Sequence, residues 1–235
     1  MKKCLFYSVF AAVGLASGSS ANAVIIATSG AGEFSGNQGQ DGWSYGYWDV
    51  TGDASPGTYT HTTDFTPFTG GAGMGAWNGT TQQWDGSDWD LNTAPAGPWT
   101  VINPTLMHPN NLANGGTHAT VLRYTVEDAP GNTLSITGFF NNTSANGDGT
   151  TGRILHNGIE QYAVLTDGFS DNLGGGVTVT GVSTGDIIDF MVDVGPADFD
   201  GSDGTTYQFT IDRIPEPSAM ALLLGGFALA LRRRR

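Results

Sequence analysis

The sequence predicts an all-β fold: an antiparallel β-sandwich, jelly-roll-like or immunoglobulin-like, flanked by a signal peptide and a short carboxy-terminal transmembrane helix. Three observations carry that expectation. From Thr117 onward, short runs alternate apolar and polar residues, the period of a strand with one buried face. The chain holds 36 glycines among many Thr, Asn and Asp residues, a composition suited to short strands joined by tight turns. Between the two ends no amphipathic helical pattern occurs.

The amino-terminal element has a cationic head, Met1-Lys2-Lys3, an apolar stretch from Leu5 to about Ala16, and an A-x-A site at Ala21 and Ala23. This is the pattern of a cleavable signal peptide over residues 1–23, with Val24 as the expected first mature residue. The apolar run is short for a permanent span, which needs about 20 residues. Cys4 precedes that run, so the expected mature domain holds no cysteine and no disulfide.

The domain expected over residues 24–213 opens with a loop-rich, aromatic stretch from Thr28 to Pro109 that contains all six tryptophans. Within it, Trp43, Tyr45 and Tyr47 alternate with small residues and share one face of a strand. Strand patterns follow at Leu122-Tyr124-Val126, Leu134-Ile136, Val177–Thr180, Ile188–Val194 and Tyr207-Phe209-Ile211. Arg153–His156 and Ile159–Leu165 flank Asn157-Gly158, the dipeptide that a two-residue type I′ hairpin prefers.

The carboxy-terminal element, residues 214–235, runs Ile214-Pro215-Glu216-Pro217-Ser218, then almost wholly apolar to Leu231, then Arg232, Arg233, Arg234 and Arg235. An apolar segment followed by arginines halts at a membrane with its basic end in the cytoplasm. Ala219 to Leu231 covers about 20 Å as a helix, against a hydrocarbon core of about 30 Å, so the insertion is expected to be transient. Two prolines hold the tripeptide extended and outside the helix.

Pro-Glu-Pro, a short apolar helix and a terminal arginine cluster closely resemble the PEP-CTERM sorting signal. The resemblance implies Pro215, Glu216 and Pro217 as the recognition tripeptide of an exosortase, a membrane protease that cuts near the motif and releases or transfers the protein. It also implies a Gram-negative host that makes extracellular polysaccharide. A plain tail anchor is the competing reading of the same residues. Two internal pieces, Asn37 to Tyr47 and Gly185 to Phe190, are similar to segments of β-sandwich modules in bacterial extracellular and carbohydrate-active proteins. That likeness implies a jelly-roll module open to glycan binding and names no ligand.

Charge narrows the partners. Residues 24–213 contain 21 acidic and three basic residues, a formal balance of −18, with no lysine. Clustered Lys and Arg are what bind phosphate, so nucleic acid and anionic membrane surfaces are excluded as partners. A soluble extracellular domain able to hold divalent cations fits this balance.

Two constellations are candidates for binding. The aromatic set Trp43, Tyr45, Tyr47, Trp48, Trp84 and Trp89, with Asp85 and Asp88, can stack on sugar faces and accept hydroxyl hydrogen bonds. The same rings also suit a core. Asp198, Asp200 and Asp203, in a glycine-rich loop, can ligate Ca2+, the one cofactor with a candidate site, or form a solvated acidic turn. The loop lacks the EF-hand spacing. No G-x-S-x-G or H-E-x-x-H motif occurs, so no catalytic residue is assigned. The expected function is a non-enzymatic cell-surface protein sorted by exosortase and associated with exopolysaccharide or biofilm matrix. The alternative is a calcium-supported carbohydrate-binding module. A secreted hydrolase ranks below both.

Overall fold

Period-two alternation buries one face of each strand, and two such faces cover each other. A computed structural model describes residues 23–214 apart from 56, 93–96, 129–132, 143 and 145. Its strands are β1 (Val24–Thr28), β2 (Trp43–Asp49), β3 (Thr66–Pro67), β4 (Trp89–Asp90), β5 (Val101–Ile102), β6 (Leu106–His108), β7 (His118–Thr125) and β8 (Thr133–Asn142). The remaining six are β9 (Thr150–His156), β10 (Ile159–Thr166), β11 (Phe169–Asn172), β12 (Val177–Thr180), β13 (Ile187–Val194) and β14 (Thr205–Arg213). The only helical pieces among the described residues are 3-10 turns at Gln40–Gly42 and Leu112–Asn114.

The strands form two antiparallel sheets. One has six strands in the order β10-β9-β13-β7-β2-β3. The other has eight, in the order β11-β8-β14-β6-β5-β4, with β12 also on β8 and β1 also on β14. The hairpin at Asn157-Gly158 forms as its sequence requires. Both residues take positive φ, 49° and 80°, and His156 faces Ile159. Gln161 then bulges, since the register shifts between Glu160 and Tyr162.

The core between the sheets is aromatic. Phe190 of β13 stacks on Phe209 of β14 at 4.2 Å between centroids, and Phe140 of β8 meets Phe209 edge-on at 4.9 Å. Trp43 of β2 lies 5.1 Å from Tyr124 and 6.0 Å from Phe190. Each such pair contributes about 0.5–1.5 kcal/mol beyond its area burial. On β9, Gly152 is required by this packing. A Cβ there would sit 2.5 Å from Cγ of the fully buried Phe140.

The outer face of the six-stranded sheet departs from simple alternation. Met191 and Asp189 point away from the core, yet they are 1% and 0% exposed. The cause is segment 50–65, which folds back over the sheet and lays Val50, Tyr59 and Phe65 on Trp48, Val121, Leu155 and Met191. Beneath it, Arg123 of β7 and Asp189 of β13 are cross-strand partners. The guanidinium donates to both carboxylate oxygens, at 2.7 and 2.9 Å. Tyr59 Oη donates to Asp189 at 3.0 Å, and Arg123 donates to the His61 carbonyl at 2.9 Å and lies 3.9 Å over the Phe65 ring.

In the loop-rich first half, amide side chains substitute for missing ladder partners. Gln38 donates to the Tyr45 and Phe68 carbonyls and accepts from the Tyr45 N–H. Buried Gln82 exchanges both bonds with Gly71, and Asn78 Oδ1 accepts three successive backbone N–H groups from Thr80 to Gln82. Such bonds let irregular backbone lie against a core without orphaned donors.

Two substitutions check this packing by thermal or urea unfolding. Gly152→Ala is expected to destabilise the domain by about 1–3 kcal/mol through overpacking. Asp189→Ala is expected to cost about 3–5 kcal/mol, because it strands a buried arginine.

Candidate functional site

The aromatic candidates divide by burial. Trp43, Tyr45 and Trp89 are 1%, 1% and 0% exposed and therefore present no face to a ligand. Their polar atoms are committed inside: the Trp43 indole N–H donates to Glu33 Oε2 at 2.9 Å, and that of Trp89 to the Ser35 carbonyl at 2.9 Å. Burial pushes the Tyr45 phenol up to about 12. Tyr47 is half-buried between Phe68 and His118, with centroids 5.6 and 5.0 Å away. Trp84 is half-buried against Phe34 and Trp89. The glycan platform expected from these rings is thus core and loop anchor. The exposed rings among the described residues include Trp77, Trp99 and Phe199, which the alternation pattern does not single out.

The acidic residues of that stretch hold their own turn. Asp85 Oδ1 accepts from the Ser87 and Asp88 N–H groups at 2.7 Å each. Asp88 is half-buried, and burial raises its carboxyl. Asp90 is raised further, to about 6, foremost by burial and then by Asp85 and Asp88, against a lowering hydrogen bond from the Asn92 N–H.

The three carboxylates expected to share a cation do not converge on one point. Asp198 is exposed, with φ 53°, and accepts from Thr117 Oγ1 at 3.3 Å. Asp200 is a loop tie, accepting from the Asn111 N–H at 3.2 Å and from Asn114 Nδ2 at 2.8 Å. Asp203 is 0% exposed, and burial pushes its carboxyl up to about 7, with Asp148 and then Asp200 adding to the shift.

A groove of about 670 Å³ opens on the outer face of the six-stranded sheet. Trp48, Leu155 and Met191 line it, and Tyr59 stands in one wall. Arg153 on β9 forms another edge, paired to Glu160 at 2.6 Å and to Asp193 at 2.8 Å. Burial, ahead of the opposing pull of Arg153, raises the Asp193 carboxyl. Leu165, on edge strand β10, is 45% exposed at the rim. Apolar surface flanked by rings, paired charges and threonine hydroxyls is the chemistry of a binding cleft.

Reactive arrangements are less apparent. Thr100 Oγ1 lies 2.8 Å from His118 Nδ1, and His118 Nε2 lies 3.9 Å from Asp49, but Thr100 is 0% exposed and out of a substrate's reach. Burial lowers the pKa of both His108 and His118. His156 Nε2 lies 2.8 Å from Asp186 at the β9–β10 turn. Among the described residues no three His, Cys, Asp or Glu side chains converge as a metal centre.

At the ends, Ala23 is exposed and β1 begins at the next residue, while β14 ends at Arg213. Ala21, the tripeptide Pro215-Glu216-Pro217 and Arg232 to Arg235 lie outside the described residues. Among the described residues no helix is long and apolar enough to cross a membrane. No family model matches the chain, and no curated protein matches it.

The Asp90 shift sets a pH test. A carboxyl raised from 3.8 to about 6 in the fold favours folding while protonated, and that contribution is lost as pH rises through about 6. Asp90→Asn is therefore expected to unfold at a higher temperature than wild type at pH 7–8. The advantage should shrink as pH falls from about 6 toward 4, as read by calorimetry across that range.

Proposed function

We propose that the chain is a non-enzymatic extracellular protein that is sorted by an exosortase and holds extracellular polysaccharide in the groove of its six-stranded sheet. The sorting part rests on the ordered tail, Pro215-Glu216-Pro217 with its apolar run and four arginines. The binding part rests on one observation: rings, an arginine, two carboxylates and threonine hydroxyls gathered along an open cleft of about 670 Å³. Aromatic and apolar surface takes the faces of sugar rings, and the flanking groups take their hydroxyls. No run of basic residues accompanies the cleft, which favours a neutral or hydroxyl-rich polymer over a strongly anionic one.

The sandwich is read as jelly-roll-like. The chain passes from one sheet to the other between β7 and β8, β8 and β9, β12 and β13, and β13 and β14, which supports that reading. A signal peptide over residues 1–23 delivers the chain across the inner membrane, and the tail inserts only until it is processed.

Two measurements test the proposal. In an exosortase-bearing host, mass spectrometry should find the exported protein without its tail, and a variant carrying Pro215→Ala and Pro217→Ala should keep the tail in the membrane fraction. A wild-type chain exported with its tail intact would remove the sorting reading. In gels cast with the host's own polysaccharide, the protein should be retarded. Leu165→Asp with Glu160→Ala, both at exposed side chains, should weaken that by at least about tenfold, roughly 1.4 kcal/mol. Loss on Trp77→Ala instead would move the site to the exposed rings, and no retardation would rule the polymer out.

A further inference from the structure

The end of the sandwich holding Asp203 carries an electrostatic problem that protein groups leave unsolved. Asp203 is 0% exposed, and neither of its carboxylate oxygens has a hydrogen-bond partner among the described residues. Asp148 faces the same region from the β8–β9 connection. Its Oδ2 accepts the Ala197 N–H at 2.6 Å, but its buried Oδ1 has no partner either. Burying a carboxylate without a partner is costly, and two neighbouring ones repel each other.

Among the described residues no arginine or lysine is left to answer them. The domain's three arginines are spent elsewhere: Arg123 on Asp189, Arg153 on Asp193 and Glu160, and Arg213 on Asp128. The backbone meanwhile brings further oxygen to the place. A Cβ on Gly147 would sit 2.8 Å from the Gly201 carbonyl oxygen and 3.2 Å from Asp203 Oδ1, so glycine there lets the two connections close on each other. A Cβ on Gly195 would likewise sit 2.5 Å from Asp148 Oδ2.

We infer that Asp203 and Asp148, with the Gly201 carbonyl, hold a divalent cation at this end of the sandwich. An all-oxygen set containing two carboxylates suits a hard cation, and irregular loop geometry completed by water suits Ca2+ better than the strict octahedron of Mg2+. Asp200 is outside the set because both of its carboxylate oxygens are taken by Asn111 and Asn114, and Asp198 because it is exposed. The inference stands apart from the polysaccharide reading.

The position gives the cation a structural task. Asp148 lies where the chain crosses from the eight-stranded to the six-stranded sheet, between β8 and β9. Asp203 lies where it crosses back, between β13 and β14. A cation shared by both connections clips the sheets together at one end. Pro196, next to the Ala197 N–H that Asp148 accepts, lines the groove, so the clip also fixes one groove margin.

The test uses the full-length chain in detergent, with EDTA, with Mg2+, and with Ca2+ titrated to about 10 mM, above the usual range of extracellular sites. Wild type should bind one Ca2+ by calorimetry, and its unfolding midpoint should climb with the logarithm of Ca2+ concentration. Asp203→Asn and Asp148→Asn should lose that response. In EDTA, Asp203→Asn should melt above wild type, because it removes a buried unpaired charge. The surface variant Asp85→Asn should respond as wild type does. If Asp203→Asn does not fold, the wild-type stoichiometry and Asp148→Asn carry the test. A wild-type midpoint indifferent to Ca2+, or a response kept by both variants, would overturn the inference and assign any binding to the acidic surface at large.

Discussion

The pairing of Arg123 with Asp189 is the constraint on which the outer half of this molecule depends. Both charges stand on the solvent side of the six-stranded sheet, where a strand ordinarily shows its polar residues to water. Here segment 50–65 seals them, and the seal is specific: Tyr59 donates to the carboxylate, the His61 carbonyl takes a guanidinium N–H, and Phe65 lies under the cation. The ion pair therefore determines where the segment lies as well as which strands are neighbours. Beside the segment, the same face of the sheet forms the groove.

Scarcity of positive charge organises much of the rest. With three arginines against 21 acids in residues 24–213, each guanidinium is a fixed point, and the other carboxylates must find backbone N–H groups, neutral side-chain donors, histidine, solvent or something from outside. Asp85 and Asp200 find backbone and amides. Asp203 finds no hydrogen-bond partner among the described residues, which sets it apart from the other acids of its loop.

Much of the fold could be read from residue order. The Asn157-Gly158 turn, the alternation in β7, β8, β13 and β14, and the near-absence of helix among the described residues all follow from local chemistry and all appear in the structure. What could not be read was which faces another segment covers. Alternation puts Trp43 and Tyr45 on one face but does not say whether that face meets water or a second sheet. The same pattern serves a glycan platform and a core, and the structure puts these rings in the core. Asp203 was visible as an acid in a glycine-rich loop, while its neighbour Asp148 lies 55 positions earlier and comes near only through packing of the two sheet crossings. The glycines around Asp148, at 147 and 149, were the available local signal. Trp48 was legible as one ring of the aromatic stretch, but Tyr59 and Arg153 carry no motif at all, and the groove that all three line exists only once the sheet is assembled.

The pairing of β1 with β14 bears on how the molecule is presented. Val24 and Arg213 are register partners, so the start of the first strand and the end of the last leave from the same end of the same sheet. Asp203 precedes the opposite end of β14, nine strand residues away, roughly 30 Å at the rise of an antiparallel strand. A chain tethered through its tail would thus point both strand ends toward its anchor and hold the β8–β9 and β13–β14 loops at its outer tip. The loops around Asp148 and Asp203 would then be the first part of the domain to meet the surrounding medium and its ions.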